Sequence, residues 1–123
     1  MPIVGIGVDI VHLPRISSLL ARRGAKFPSR ILSSNELSSW SSVPSDDTSR
    51  TKFLAVRWAV KEATYKALYP TFRPTWKELT YRSLTDGRKP EVVYHCAAAA
   101  SVSLHVSVSH DGEYVFATVL AEK

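Results

Sequence analysis

RWAVKEATYKAL, residues 57–68, is the stretch on which the architecture turns. Val56, Ala59, Val60, Ala63 and Ala67 recur at spacings of three and four, the stripe of a helix that buries one side. The expected helix covers residues 51–69 and stops at Tyr69-Pro70, because proline disfavours helical backbone in the residue before it. Three charges interrupt it: Lys61, Glu62 and Lys66. Glu62 and Lys66 share one face, as do Arg57 and Lys61, so all four can be read as surface pairs contributing about 0.3–0.5 kcal/mol each. Glu62 nevertheless sits beside the Ala59/Ala63 stripe, where a carboxylate without a partner is costly.

A second stretch poses the same question. VGIGVDIV, residues 4–11, is an apolar run with one carboxylate, Asp9. Residues 2–9 read as a buried strand, with Gly5 and Gly7 permitting close backbone approach. Asp9, at its expected end, either caps the following turn through backbone N–H groups or meets Glu62 at the rim of the core. In the second case two acids, each wanting a cation, make a Mg²⁺ site, since that ion takes one or two carboxylates and completes its shell with water and phosphate oxygens. Histidine and cysteine clusters that would suit other metals are absent from the sequence.

The remaining segments fit around these two. A helix is expected from Pro14 through Ile16, Leu19 and Leu20 to Gly24, then a second helical region through Ile31, Leu32 and SSNELSSW, capped by Ser34. SSVPSDDTSR, residues 41–50, reads as a loop. LTYRSL and EVVYH read as paired strands around TDGRKP, with Asp86-Gly87 as the turn, and CAAAAS as a short helical turn. LHVSVSH and YVFATVLAE alternate well and are joined through Asp111-Gly112. The order implies an α+β fold, a mainly antiparallel sheet packed on the long helix.

At 123 residues, 45% hydrophobic and 22% charged, the chain has the composition of one globular domain, residues 1–123. One cysteine, Cys96, allows no internal disulfide and suits a reducing compartment. No apolar run reaches the ~20 residues of a membrane span, so no membrane partner is expected. The N-terminus leads directly into strand-like sequence, with no signal or transit peptide pattern. The net charge of +5 is unevenly placed: no acid lies between Asp9 and Glu36, while Arg15, Arg22, Arg23, Lys26 and Arg30 do. Such a stretch is either a solvated helix face or a surface that steers an acidic partner.

Among the histidines, His105 shares a strand face with Ser107 and Ser109, a polar row that is either a half-exposed sheet surface or the lining of a phosphate pocket. His110 has the opposite parity but stands at the strand end. No nucleophile elbow or dinucleotide fingerprint is present.

In combination, VGIGVDIV, RWAVKEATYKAL and HVSVSH followed by EYVFATV resemble the bacterial-type holo-[acyl-carrier-protein] synthases, the small 4′-phosphopantetheinyl transferases. The similarity covers nearly the whole chain, and W-x-x-K-E-x-x-x-K with G-[IV]-D is a specific signature. The resemblance implies an α+β homotrimer with active sites between neighbouring subunits. It assigns Asp9 and Glu62 to a Mg²⁺ that also binds the pyrophosphate of coenzyme A, and gives Asp9, Glu62 and Lys66 the catalytic roles. It places Lys61 and Lys66 beside the cofactor phosphates, His105 and Ser107 along the cleft, and Gly87 to Pro90 at the adenine side. Arg15, Arg22 and Arg23 become the docking surface for an acidic carrier protein, in the cytoplasm or a mitochondrial matrix. Tyr69-Pro70 replaces glycines found in many relatives, and Arg88 displaces the lysine of their G-K-P turn. The competing readings are a basic nucleic-acid-binding domain, built on +5 and on Trp40, Trp58 and Trp76, and a docking module without catalysis. The resemblance favours the transferase, with no nucleic-acid partner.

Overall fold

The computed structural model describes residues 2–83 and 87–123. In chain order it contains β1 (Ile3–His12), α1 (Leu13–Arg23), α2 (Lys26–Ile31), α3 (Ser34–Trp40), α4 (Asp47–Leu68), β2 (Leu79–Arg82), β3 (Glu91–Tyr94), β4 (Ser103–Asp111) and β5 (Tyr114–Glu122). Single 3₁₀ turns lie at Trp76–Glu78 and Ala97–Ala99. The strands form two antiparallel sheets, β1-β5-β4 and β2-β3. This is the expected α+β architecture, with the antiparallel strands divided between two sheets.

The long helix is held at both ends by local chemistry. Its first turn is capped by Asp46, whose side chain accepts from the Ser49 N–H at 2.8 Å. The helix therefore starts at Asp47, inside the stretch expected as loop, because a cap followed by a free first turn outweighs serine-rich composition. It ends at Leu68, with extended backbone at Tyr69 before Pro70. Its stripe of Ala59, Val60, Ala63 and Ala67 is fully buried.

What faces that stripe is β1, and the fit depends on missing side chains. A Cβ on Gly7 would stand 1.9 Å from the Ala63 carbonyl oxygen, and one on Gly5 2.2 Å from that of Ala67. Glycine on the strand and alanine on the helix bring the two backbones together as no larger pair would. The strand also runs on to His12, three residues beyond the sequence expectation. Val11 is fully buried and continues the inward row, so Asp9 lies within the ladder rather than at its end.

Smaller differences have equally local causes. Ser33, not Ser34, caps α3, in a reciprocal box with Glu36. The β4–β5 turn places Asp111 opposite Tyr114, so Gly112 (φ 56) and Glu113 form the loop. The expected turn at Asp86-Gly87 lies partly outside the described residues; Gly87 has φ 71.

Candidate active site

Strand pleat and helix pitch together bring three of the expected residues to one place. Asp9 lies in the row of β1 that faces α4, paired across the sheet with Ala117. Glu62 and Lys66 lie one turn apart on α4, just beside its alanine stripe. The close approach at Gly5 and Gly7 carries this edge of the helix against Asp9. Lys66 Nζ donates to the Val8 carbonyl at 2.9 Å and stands 3.5 Å from Asp9 Oδ1.

The electrostatics of this corner are unusual for a surface pair. Asp9 Oδ2 is buried and accepts no hydrogen bond among the described residues. Burial pushes the Asp9 carboxyl above its ordinary value, although Lys66 and, more weakly, Arg15 pull it down. Burial also raises Glu62, and the neighbouring Asp9 charge raises it further, again against Lys66 and Arg15. Two mutually repelling, half-buried acids with an unused oxygen form a donor set that a hard divalent cation satisfies. Among the described residues no group of three or more metal-ligating side chains occurs. Any ion here would hold two carboxylates and draw its remaining ligands from water or phosphate, as Mg²⁺ does.

Two cavities flank this corner. One, of about 300 Å³, is lined by Lys61, Glu62, Tyr65, Thr75, Trp76 and Leu79. The other, of about 500 Å³, is a groove between Arg15, Arg22, Arg23 and Arg30 with Phe27 and Trp58 along its floor. The three arginines singled out in the sequence therefore line one groove, and Arg15 also acts electrostatically on both acids. Trp76 contributes to both cavities and packs on Trp58 with ring centroids 5.0 Å apart.

Lys61 does not join the phosphate side. It is 2% exposed, and Nζ donates to Ile31 O at 2.6 Å, to Trp76 O at 3.0 Å and to Glu36 Oε1. All three of its protons are used inside the protein, which leaves none for the expected phosphate contact in this arrangement. A step of one residue from Glu62 turns its side chain about 100° around the helix, towards α2 and α3. Glu36, its partner, also accepts from the Ser33 N–H at 2.9 Å and the Tyr81 N–H at 2.8 Å. Sequence reading missed Glu36; its only signal was the capping-box spacing, which explains one of these bonds.

His105 and Ser107 also lie apart from the acids within one chain. Their row on β4 continues through Thr118 of β5 to Val8 of β1, the outward face of the sheet, whereas Asp9 belongs to the inward row with Ala117 and Val108. His105 is exposed and Nε2 is 2.8 Å from Glu122 Oε1. Within one chain they share no face with Asp9. Gly87 is exposed and Pro90 half-buried on the β2–β3 connection, and neither lines the cavity beside Glu62.

Comparison with known proteins matches this fold to one class. The family model described as the 4′-phosphopantetheinyl transferase superfamily matches residues 5–119. The structure superposes on the crystal structure of holo-[acyl-carrier-protein] synthase from Neisseria meningitidis with a TM-score of 0.84, at 33% identity over 99% of this chain and 100% of that one. The Bacillus anthracis enzyme, solved in complex with CoA (3′,5′-ADP), gives a TM-score of 0.78 at 32% identity, covering 97% of this chain and 96% of that one. A holo-[acyl-carrier-protein] synthase of Bacillus velezensis is 39% identical over 98% of this chain and 97% of its own length. The chain belongs to the 4′-phosphopantetheinyl transferase superfamily.

Proposed function

We propose that this protein transfers the 4′-phosphopantetheine group of coenzyme A to a serine hydroxyl of an apo acyl carrier protein and releases adenosine 3′,5′-bisphosphate. The observation that carries the reading is the pairing of Asp9 and Glu62, two half-buried acids of raised pKa: Asp9 has an oxygen unpartnered among the described residues and Lys66 beside it, and Glu62 lines a cavity. Family membership supports the reaction class, and the complex of the Bacillus anthracis relative with CoA supports the donor.

In this reading Asp9 and Glu62 would hold a Mg²⁺ ion, which would supply charge neutralisation to the pyrophosphate. The carrier serine Oγ forms a bond to the phosphorus that bears pantetheine, and the bridging P–O bond breaks with its electron pair on the bisphosphate. Glu62 accepts the serine proton; burial and the neighbouring Asp9 charge both raise its pKa. Lys66, half exposed and already turned to the acids, meets the charge that develops on the departing phosphate. No nucleophile is needed from this chain.

The groove of Arg15, Arg22, Arg23 and Arg30 with its aromatic floor fits an acidic carrier helix with one apolar face. Assembly into a homotrimer is part of the proposal. Ile6, Ile10 and Phe116 are 66%, 61% and 42% exposed on the outward sheet face, an apolar surface of the kind that subunit contacts cover. Covering it would bring one subunit's His105 and Ser107 to a boundary with another, and the Gly87–Pro90 connection would then act on the nucleotide from there. Cys96 is a free thiol and, among the described residues, no helix is long and apolar enough to cross a membrane. Both features fit work in the cytoplasm or a mitochondrial matrix.

The nucleic-acid reading is weaker, because Trp58 already packs against Trp76 and Phe27 with the Arg15 guanidinium over its ring. Incubation with coenzyme A, Mg²⁺ and an apo carrier protein, followed by mass spectrometry of the carrier, tests the proposal. A mass gain of one phosphopantetheine is expected; an unmodified carrier overturns it.

A further inference from the structure

Resting on the transferase reading above, we infer that Lys61 is a positioning residue that holds the wall between the two cavities, and so sets Glu62 in register with a docked carrier. The ammonium sits where four segments converge. It reaches Ile31 O at the end of α2, Glu36 on α3 and Trp76 O in the turn before β2, while its own backbone is joined to Glu62 on α4. Ile31 lines the arginine groove, Glu62 lines the smaller cavity, and Trp76 lines both. One ammonium therefore ties the floor of the docking groove, the dividing indole and the helix turn that carries the acid.

The tether is specific in its chemistry. Three N–H donors meet three acceptors, and burial pulls the Lys61 pKa down against the opposing charge of Glu36, with Arg57 and Lys77 adding to the lowering. Lys77 does not replace it; its Nζ donates to Leu32 O at 2.7 Å, one residue further along. The two carbonyls, Ile31 O and Trp76 O, have no such link if Lys61 is apolar. Without it the turn that carries Trp76 keeps its Lys77 link to Leu32, but α4 loses its hydrogen bonds to both segments, and a displacement of ~1 Å at a reacting centre costs on the order of 100-fold in rate.

The discriminating variant is Glu36→Gln with Lys61→Met. Replacing both members of a buried ion pair by neutral groups of similar volume commonly preserves stability. Glutamine keeps a carbonyl acceptor for one of the two backbone N–H groups on Glu36, while both carbonyl tethers are lost. Melting temperature, coenzyme A dissociation constant, kcat and carrier KM are measured, with near-UV circular dichroism of the Trp58–Trp76 pair as a readout independent of turnover. The expected result is a folded protein of lowered melting temperature with wild-type coenzyme A affinity, kcat lowered by at least about tenfold, and an altered tryptophan signal. Wild-type kcat in the folded variant overturns the inference and leaves Lys61 a purely structural residue. Loss of coenzyme A affinity overturns it in favour of a phosphate contact.

Should the double variant fail to fold, Lys61→Met alone is read at a temperature where it stays folded: it removes both carbonyl tethers while Glu36 keeps the Ser33 and Tyr81 N–H bonds, so a lower kcat at unchanged coenzyme A affinity is expected, and an unchanged kcat rejects the role. Wild-type protein that leaves the carrier unmodified rejects the transferase reading itself, which is a separate failure.

Discussion

Lys66 and Asp9, 57 residues apart in sequence, stand 3.5 Å from one another, with the lysine also bound to the Val8 carbonyl at 2.9 Å. The lysine is half exposed, so the pair adds little to stability and its placement is better understood as preparation for an anion. Lys66→Ala is expected to leave the fold intact and to lower kcat by roughly 100- to 1,000-fold, the usual loss when one donor to developing charge is removed. Steady-state transfer assays with a melting curve on the same sample check both halves.

Asp9→Asn and Glu62→Gln separate catalysis from stability. Each should lower Mg²⁺-dependent transfer by at least about 100-fold. Each should also raise the metal-free melting temperature, because a desolvated carboxylate leaves the corner and its repulsion with the other acid ends. A variant melting below wild type without Mg²⁺ would contradict the electrostatic account.

The same shifts fix a pH dependence. Both acids have folded-state pKa values raised above the ordinary 3.8 and 4.5. The folded protein therefore binds protons more tightly than the unfolded chain at these groups. Their stabilising contribution is complete below the unfolded values and is lost as pH rises through the folded ones. Without divalent ions, the difference in unfolding free energy between wild type and the Asp9→Asn, Glu62→Gln double variant should favour the variant increasingly from pH 4 upward. Urea titrations along a pH series measure it, and added Mg²⁺ should narrow the gap.

Gly7→Ala tests the close packing on which the site depends. The new methyl would lie 1.9 Å from a backbone oxygen of Ala63, which cannot rotate away. Strand and helix must part, at a cost of about 1–3 kcal/mol or more. Transfer should fall further than the folded fraction explains, since Asp9 moves away from Glu62. Alanine at the open Gly24 position, which meets nothing within 4 Å, provides the control for backbone strain alone.

Charge reversal at Arg22 and Arg23 should raise the carrier KM by about tenfold while leaving coenzyme A affinity unchanged, and should flatten the dependence of transfer on ionic strength. Equal effects on both substrates would place the groove's role elsewhere.

Legibility from sequence followed the range of the interactions. The α4 stripe and the β4 and β5 strands were readable because their signals are periodic and local, and the stop at Tyr69-Pro70 is a matter of backbone sterics between adjacent residues. The start of α4 was misplaced by four residues because a single aspartate cap decided it within polar sequence. Lys61 shows the opposite case. In the motif it is indistinguishable from Lys66, five residues away, yet one is 2% exposed and the other half exposed. No local pattern distinguishes a lysine facing solvent from one facing a buried glutamate 25 residues earlier.

Taken alone, the order of residues determined most of the elements, the α+β class and the family, because propensity, periodicity and motif spacing act between near neighbours. Folding in three dimensions decided which charges meet at one corner and which are turned inward. It set Asp9 against Lys66 through glycines that carry no charge, spent Lys61 on three internal acceptors, and turned His105 and Ser107 to the outward face. Those outcomes depend on which surfaces meet at the close approach of β1 and α4, and on the desolvation that follows, quantities that exist only once the chain has closed on itself.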